Sequence, residues 1–584
     1  MARPRKVFAC DCETDPFVHE RVPVPFLWGL YDGDQFLTFD KTEDFVAYVI
    51  DKEILLYAHN GGKFDFMFLL PFVGYTKAQI INGRIVSMML GKAELRDSYS
   101  IIPEALKKFG GKLDIEIWKL EKSQRLKNRP EILRYLKQDC VGLYDAVVQY
   151  RLIAGTKKTI ASNALAFCKK LGIDPGRTNH KFDQKYRRFY YGGRCECFIP
   201  GTHKNVKLID IHSAYPFAMT HDHATGDNFV RLDNLNGLTT EEIQRSFIVI
   251  ECTSHGAFPM RTREGLIFPH EYNEFHVTGW EYLVAKEYGL IENETIQEVR
   301  FTSDKINFTP YVKHWYNLKS ATDKKADPVH YTIYKILMNS LYGKLSQNIM
   351  NYYDYKIVLA GERICYKPEY SLENEKLCSK CNELMSDHGW QKYLEFDNHE
   401  IHRRESLWQH KFKYGEDWEG KGLYNNVATG ASVTGFTRAH LLRAMCQLGR
   451  ENIIYSDTDG IVCKTSTDLS RIPFSDKLGE WELEGVGEIG HFAGKKLYGI
   501  KLANDKYKLA TKGSRLNQKH MYKIIDGEQI SYQEQDDATG YEQITRLMTG
   551  ETIVWQNEAP SFKIDGSAKF VVRKIRATAL KPSA

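Results

Sequence analysis

The chain has 584 residues, 42% of them hydrophobic and 27% charged, which is material for a sizeable core and roughly three or four domains. Its net charge of +5 is too small to argue for a polyanionic partner by itself, and 34 Tyr and 30 Phe serve cores as readily as base stacking. The basic start from Met1 to Lys6 runs into Asp11 too early for a secretory signal, no stretch reaches the apolar length of a membrane span, and 12 scattered Cys read as free thiols.

In chain order, Val7-Phe8-Ala9-Cys10 predicts a strand leading into Asp11-Cys12-Glu13-Thr14-Asp15. Residues two apart on a strand share a face, so Asp11 and Glu13 point the same way. Two neighbouring carboxylates repel unless a cation lies between them, and carboxylate oxygens are what Mg²⁺ prefers. Ile54 to Asn60 predicts a second buried strand, broken by Gly61-Gly62, and Asp65 stands near the start of a helix. From Glu131 to Tyr150 the periodicity is helical, with Leu133, Leu136, Cys140, Leu143 and Val147 on one face. Tyr135 and Asp139 are four apart there and so are neighbours.

Each piece alone reads most simply as surface charge. In this order they resemble the DEDD 3′→5′ exonucleases, in the subtype that carries a tyrosine. The resemblance implies that Asp11, Glu13, Asp65 and Asp139 hold two metal ions and that Tyr135 orients the attacking water. Thr14 and Asn60, beside the carboxylates, are then expected to hold a frayed 3′ end.

Three further blocks follow. Lys207 to Pro216 reads as a strand ending at Asp210, then a turn or helix with Ser213-Ala214-Tyr215-Pro216. It resembles motif A of family B DNA polymerases, with Ala214 in place of the usual Leu. Lys335-Ile336-Leu337-Met338-Asn339-Ser340-Leu341-Tyr342-Gly343 resembles motif B. On a helix, Lys335, Asn339 and Tyr342 share a face. Tyr455-Ser456-Asp457-Thr458-Asp459-Gly460 predicts a β-hairpin with its turn at Asp-Thr-Asp-Gly. It resembles motif C, with Gly460 where that motif has Ser, so any contact from that hydroxyl is lost.

The resemblance implies Asp210 and Asp459 as metal ligands with Asp457 in support. Backbone amides of Ser213 and Ala214, with Lys335 and Lys319, are expected on the dNTP phosphates. Tyr215 is expected to stack under the sugar and exclude a 2′-hydroxyl, while Asn339 and Tyr342 line the nascent base pair. The reaction implied is attack of a primer 3′-hydroxyl on the α-phosphate, a step that needs no protein nucleophile.

Shorter signatures agree in order. Tyr190-Tyr191-Gly192-Gly193-Arg194 resembles the family's linker motif, which touches single-stranded template. Thr434 and Arg438 resemble its template contact, and Lys496 with Tyr498 its primer contact. The likeness is to the small protein-primed polymerases of bacteriophages and linear plasmids, carried by His59-Asn60-Gly61-Gly62-Lys63-Phe64-Asp65 and by long gaps after Asp210 and after Gly343.

The fold expected is α/β and α+β multidomain, an RNase H-like 3′→5′ exonuclease domain followed by a right-hand polymerase with palm, fingers and thumb. Boundaries are expected at 1–155 for the exonuclease, 156–219 for the linker and first part of the palm, and 220–310 for an insertion that grips a terminal protein. Fingers follow over 311–345 and a processivity and strand-displacement insertion over 346–425. The palm resumes over 426–500, and 501–584 forms a thumb region whose Lys569, Arg573, Lys574 and Arg576 suit either phosphates or a solvated face. The second insertion holds Cys365, Cys378, Cys381, His388, His399 and His402, half of a zinc pattern without its partner, so zinc is not expected. Mg²⁺, replaceable by Mn²⁺, is the expected cofactor. The expected partners are template-primer DNA, dNTPs and a terminal protein, with no membrane, the chain acting as a monomer or a heterodimer with that protein in the host cytoplasm. The rival readings are a nuclease with a decayed polymerase half, a non-catalytic replication scaffold, and a polymerase that works from ordinary primers or none. Asp210, Asp457, Asp459, Lys335 and Tyr342 at catalytic spacing oppose the first two.

Overall fold

The computed structural model describes residues 5–16, 23–74, 76–81, 83–106, 114–262, 265–348, 351–360, 391–396, 399–405, 424–502 and 507–511. Cys365, Cys378, Cys381 and His388 lie outside them, as do Lys569, Arg573, Lys574, Arg576 and the rest of 512–584. Among the described residues no helix is long and apolar enough to cross a membrane.

The N-terminal part is built on a ten-stranded sheet. Within it the wholly buried strand Ile54–Ala58 pairs in parallel with Lys6–Thr14 on one side and Ala93–Asp97 on the other. A strand buried on both faces reads as an unbroken apolar run, and Ile54-Leu55-Leu56-Tyr57-Ala58 is one. Beyond Lys6–Thr14 come Pro25–Tyr31 and Phe36–Phe39, and beyond Ala93–Asp97 come Arg84–Leu90 and Thr76–Ile81, all antiparallel. The predicted helix runs from Arg129 to Ala154, with Pro130 and Glu131 in its first turn and Gly155 at its C-cap. It buries Ile132, Leu136, Cys140, Leu143 and Val147, while Leu133 lies only half-buried.

The same sheet also takes in strands from farther along the chain. Strands Tyr353–Leu359, His399–Glu405 and Gln391–Phe396, all within the expected second insertion, extend it past Thr76–Ile81 with Tyr355 opposite Ala78 and Ile357 opposite Thr76. The pairing caps what is otherwise an open strand edge. Ile357 and Ile401 join the N-terminal core, so this sheet is not confined to 1–155.

A seven-stranded antiparallel sheet forms the second body. Gly201–Ile211 lies between Gly460–Lys464 and Trp481–Gly494, with Ile453–Asp457 and Cys195–Cys197 on one flank and Leu497–Leu502 and Tyr507–Thr511 on the other. Helix Val427–Leu448 is buried almost all round and packs on helices His180–Arg187, Ala214–Met219 and Gly279–Glu287. Two helices, Thr309–Ala321 and Pro328–Leu345, pack together, the second capped by Asp327. Within the expected first insertion, four antiparallel strands carry helix Gly279–Glu287 on a separate core.

Candidate active sites

The first acidic cluster forms where three elements meet. Asp11 and Glu13 come from the strand Lys6–Thr14, Asp65 from the first residue of helix Asp65–Leu69, and Asp139 from the long helix. Burial is the largest influence on all four, followed for Asp11 and Glu13 by their like-charged neighbours. Asp11 is held well above the usual carboxylate range, by burial and then by Asp65, Asp139 and Glu13. Glu13 is pushed up to about 8 by burial, with Asp139 and Asp65 adding to it. Burial raises Asp65 to about 7 and Asp139 to about 6. The Tyr135 hydroxyl donates to Asp139, which places it in the cluster. Thr14 is buried beside it. Asn60 takes a left-handed backbone, φ 61°, and its side chain accepts from Arg84, which also donates to Asp97 at 2.5 Å and stacks on Tyr99 at 4.4 Å.

The second cluster lies on the seven-stranded sheet. Asp210 sits directly across from Gly460 in the strand register, and Asp459 occupies the two-residue turn with Thr458, whose φ is 64°. Asp210 is pushed up to about 7, by burial first and then by Asp459 and Glu484. Burial raises Asp459 to about 6, with Asp457 adding to it. A cavity of about 390 Å3 opens here, lined by Asp210, Asp457, Asp459, Glu484, Lys496, Tyr498 and Lys508 among others. Lys496 pairs with Asp457 at 2.8 Å, and Tyr498 packs on Tyr455 at 4.8 Å. Gly460 does more than lose a hydroxyl. A Cβ there would approach Asp210 Oδ1 to 3.2 Å, so the glycine also leaves that carboxylate room.

Above this floor, Tyr215 from helix Ala214–Met219 stacks on Tyr342 from helix Pro328–Leu345, with centroids 4.0 Å apart and an 8° tilt. Ser213 precedes that short helix in a left-handed conformation, φ 57°, and Ala214 is buried as its first residue. Lys335 is exposed and Asn339 and Tyr342 are half-buried on the helix face opposite Ile333, Leu337 and Leu341. Lys319, on the neighbouring helix, is lowered by burial and then by the Lys335 charge, so the two ammonium groups converge. Converging cations suit an anionic ligand.

Several known proteins are similar to this chain in sequence or in fold. The family model described as DNA polymerase type B, organellar and viral, matches residues 112–383. A DNA-directed DNA polymerase of Enterobacteria phage PRD1 is 33% identical over 590 residues, covering 98% of each chain. The chain belongs to the organellar and viral type B DNA polymerases. A DNA polymerase of Kluyveromyces lactis is 24% identical over 53% of this chain and 30% of its own. In fold, this polymerase resembles the phi29 DNA polymerase, with a TM-score of 0.66 and 18% identity over 89% of this chain and 94% of the other. One of the matching phi29 structures is a complex with primer-template DNA and incoming nucleotide.

Polymerases of this type use divalent metal ions. Among the described residues no three acidic, His or Cys side chains close into a finished metal shell. The donor set still fits such ions. Glu13 Oε1 and Asp65 Oδ1 are buried with no hydrogen-bond partner, and both clusters gather like charges that a divalent cation relieves.

Two of the expected template contacts of the polymerase lie inside the fold. Thr434 and Arg438 are 1% and 2% exposed, so neither lies on the open surface. Thr434 Oγ1 donates to Ala431 O at 3.1 Å, and Arg438 turns inward to Glu281 and to the Tyr191 and Gly192 carbonyls. Of the linker residues, Tyr190 is half-buried and Gly192 exposed, while Gly193 lies against Thr458. Of the suspected zinc residues, His399 contacts the Val73 carbonyl at 3.0 Å and His402 contacts Glu400 at 2.6 Å.

Further functional candidates carry no motif in the sequence. Glu484 and Lys508 pair beside Asp210 and line its cavity. Alternation in Trp481-Glu482-Leu483-Glu484 was a signal for a strand with two outward carboxylates, but nothing local tied it to Asp210. Arg84 and Asp97 brace Asn60 from neighbouring strands and carried no sequence signal.

Proposed function

We propose that this chain is a DNA-directed DNA polymerase with its own 3′→5′ proofreading exonuclease, primed by a terminal protein and copying a linear viral or plasmid genome. The observation that carries the polymerase reading is the pairing of Asp210 with the Asp459 turn, under the Tyr215–Tyr342 stack and the convergent Lys319 and Lys335.

In the synthetic site, Asp210 and Asp459, with Asp457 beside them, are the residues that would hold Mg²⁺, or Mn²⁺ in its place. When bound, such ions acidify a primer 3′-hydroxyl and neutralise the triphosphate. Lys319 and Lys335 bind the phosphates as fixed cations, and the backbone amides of Ser213 and Ala214 donate to them. Tyr215 supports the sugar and fills the space of a 2′-hydroxyl, while Asn339 and Tyr342 face the new base pair. Lys496 and Tyr498 meet the primer strand near its end.

In the editing site Asp11, Glu13, Asp65 and Asp139 are the corresponding ligands. Tyr135, held by Asp139, orients the attacking water, and Thr14 and Asn60 hold the frayed end. Tyr190, Gly192 and Gly193 lie on the template path. Arg438 acts on that path from behind, through the Tyr191 and Gly192 backbone it supports, with Thr434 one turn before it on the same helix.

Template-primer DNA and dNTPs are the substrates, and the expected setting is the host cytoplasm. Protein priming is tested by incubating the chain with the protein encoded beside it and labelled dNTP. A covalent nucleotide–protein adduct is expected. Extension of a DNA primer with no such adduct would leave the polymerase reading standing and remove the priming.

A further inference from the structure

Each carbonyl of Tyr190, Tyr191 and Gly192 is held by an arginine from a distant part of the chain. Arg261 Nη2 donates to Tyr190 O at 2.9 Å. Arg438 Nη1 donates to Tyr191 O at 2.7 Å and to Gly192 O at 3.0 Å. On the other side the Thr458 amide donates to Arg194 O at 2.6 Å, and a Cβ at Gly193 would meet Thr458 Cγ2 at 2.7 Å. The segment is therefore wedged between Arg438 and the turn that carries Asp457 and Asp459. The Tyr191 and Gly192 carbonyls face inward to Arg438, and Gly192 itself stays exposed with nothing within 4 Å of where a Cβ would be.

Arg438 does not hold this position alone. Its Nε donates to Glu281 Oε1 at 2.7 Å, and both side chains are 2% exposed. The other Glu281 oxygen accepts from the Thr278 amide at 3.0 Å and from Thr278 Oγ1 at 2.8 Å, the capping box of helix Gly279–Glu287. A buried guanidinium needs a counter-charge, and a carboxylate pinned at both oxygens gives it a single orientation. Glu281 and Arg261 both belong to the 220–310 region, where an insertion that grips a terminal protein is expected.

We propose that Glu281 is a positioning residue for DNA synthesis. Through Arg438 it fixes the Tyr190–Gly193 backbone against the Thr458 turn, so the 220–310 region shapes the template path when the primer is ordinary nucleic acid. Arg261 does the same from the exposed side. This inference rests on the reading of Tyr190–Gly193 as template contact.

The test uses the full chain without any primer protein. Binding of a primed DNA template, its single-turnover extension, and degradation of a free single strand are measured on wild type, E281A, E281Q and R261A. For E281A the Kd for primed template rises about tenfold, the effect of one lost charge-assisted hydrogen bond. Its extension rate at saturating template stays within about twofold, and single-strand degradation is unchanged. E281Q, which keeps an oxygen acceptor for Arg438, moves in the same direction by about threefold, as does R261A. Should E281A fail to fold, E281Q and the surface variant R261A decide the matter. Wild-type affinity in those folded variants overturns the proposal, and so does equal loss of synthesis and degradation, which marks a purely structural role. A wild-type chain that extends no primer would sink the polymerase reading, and this inference with it.

Discussion

Replacing Asp210 by Asn removes a charge that the fold tolerates poorly unless a cation accompanies it. Asp210 is pushed from 3.8 to about 7 by burial, with Asp459 and Glu484 adding to the effect and Lys508 opposing it. Each pH unit of displacement is worth ~1.4 kcal/mol, so roughly 2–4 kcal/mol stands against the ionised form after allowance for the part of the group that faces solvent. The sign follows from proton linkage. Below 3.8 the carboxyl is neutral in folded and unfolded chains alike. Between 3.8 and about 7 the folded chain keeps a proton that the unfolded chain releases, so stability falls as pH rises, and above that window the deficit is constant. Asp210→Asn carries no such deficit. In chelator at pH 8 the variant is therefore expected to melt higher than wild type by roughly 2–3 °C, with the difference vanishing near pH 4. Adding Mg²⁺ at pH 8 narrows the gap by stabilising wild type only, and the variant incorporates no dNTP. Thermal unfolding in chelator across this pH range, repeated with Mg²⁺, is the assay. A variant less stable than wild type at pH 8 in chelator, or a gap that does not change with pH, would refute the reasoning.

Asp459→Ala is expected to lower dNTP incorporation at least roughly 10³-fold and leave 3′-end degradation intact, with the joint change Asp11→Ala and Glu13→Ala doing the reverse, both read on one labelled primer. A single substitution that ended both activities in a folded chain would contradict two separate sites. Tyr215→Val opens the space beneath the sugar, so discrimination against ribonucleotides is expected to drop by roughly 10²-fold in single-nucleotide incorporation assays. His223 is fully buried, contacts Ser432 Oγ at 2.9 Å and Ala218 O at 2.7 Å, and is lowered to about 4 by burial. Its neutral form is favoured by the fold, so its contribution to stability is lost as pH falls from 6.5 towards 4. His223→Gln should flatten that part of the pH–stability curve, and an unchanged slope would show that the histidine does not titrate there.

Which side chains share a face was legible residue by residue, because carboxylates, lysines and tyrosines at fixed spacing on a strand or helix lie together whatever surrounds them. Asp11 with Glu13, Tyr135 with Asp139, and Lys335 with Asn339 and Tyr342 follow from periods of 2.0 and 3.6 alone. The hairpin at Asp457–Gly460 follows from its turn residues. Burial and long-range pairing belong to the tertiary structure. Arg438 in a short motif reads as a cation ready for phosphate, and only the packed helix around it turns it inward to Glu281. Strand Tyr353–Leu359 reads as part of an insertion, and only the open edge at Thr76–Ile81 draws it into the N-terminal sheet. Glu484 and Lys508 sit far from Asp210 along the chain, and it is the strand order of the seven-stranded sheet that brings them beside it. Local spacing is set by backbone geometry, which any segment carries within itself, whereas the partners of a buried charge or an unpaired strand edge are chosen by everything else that folds around them.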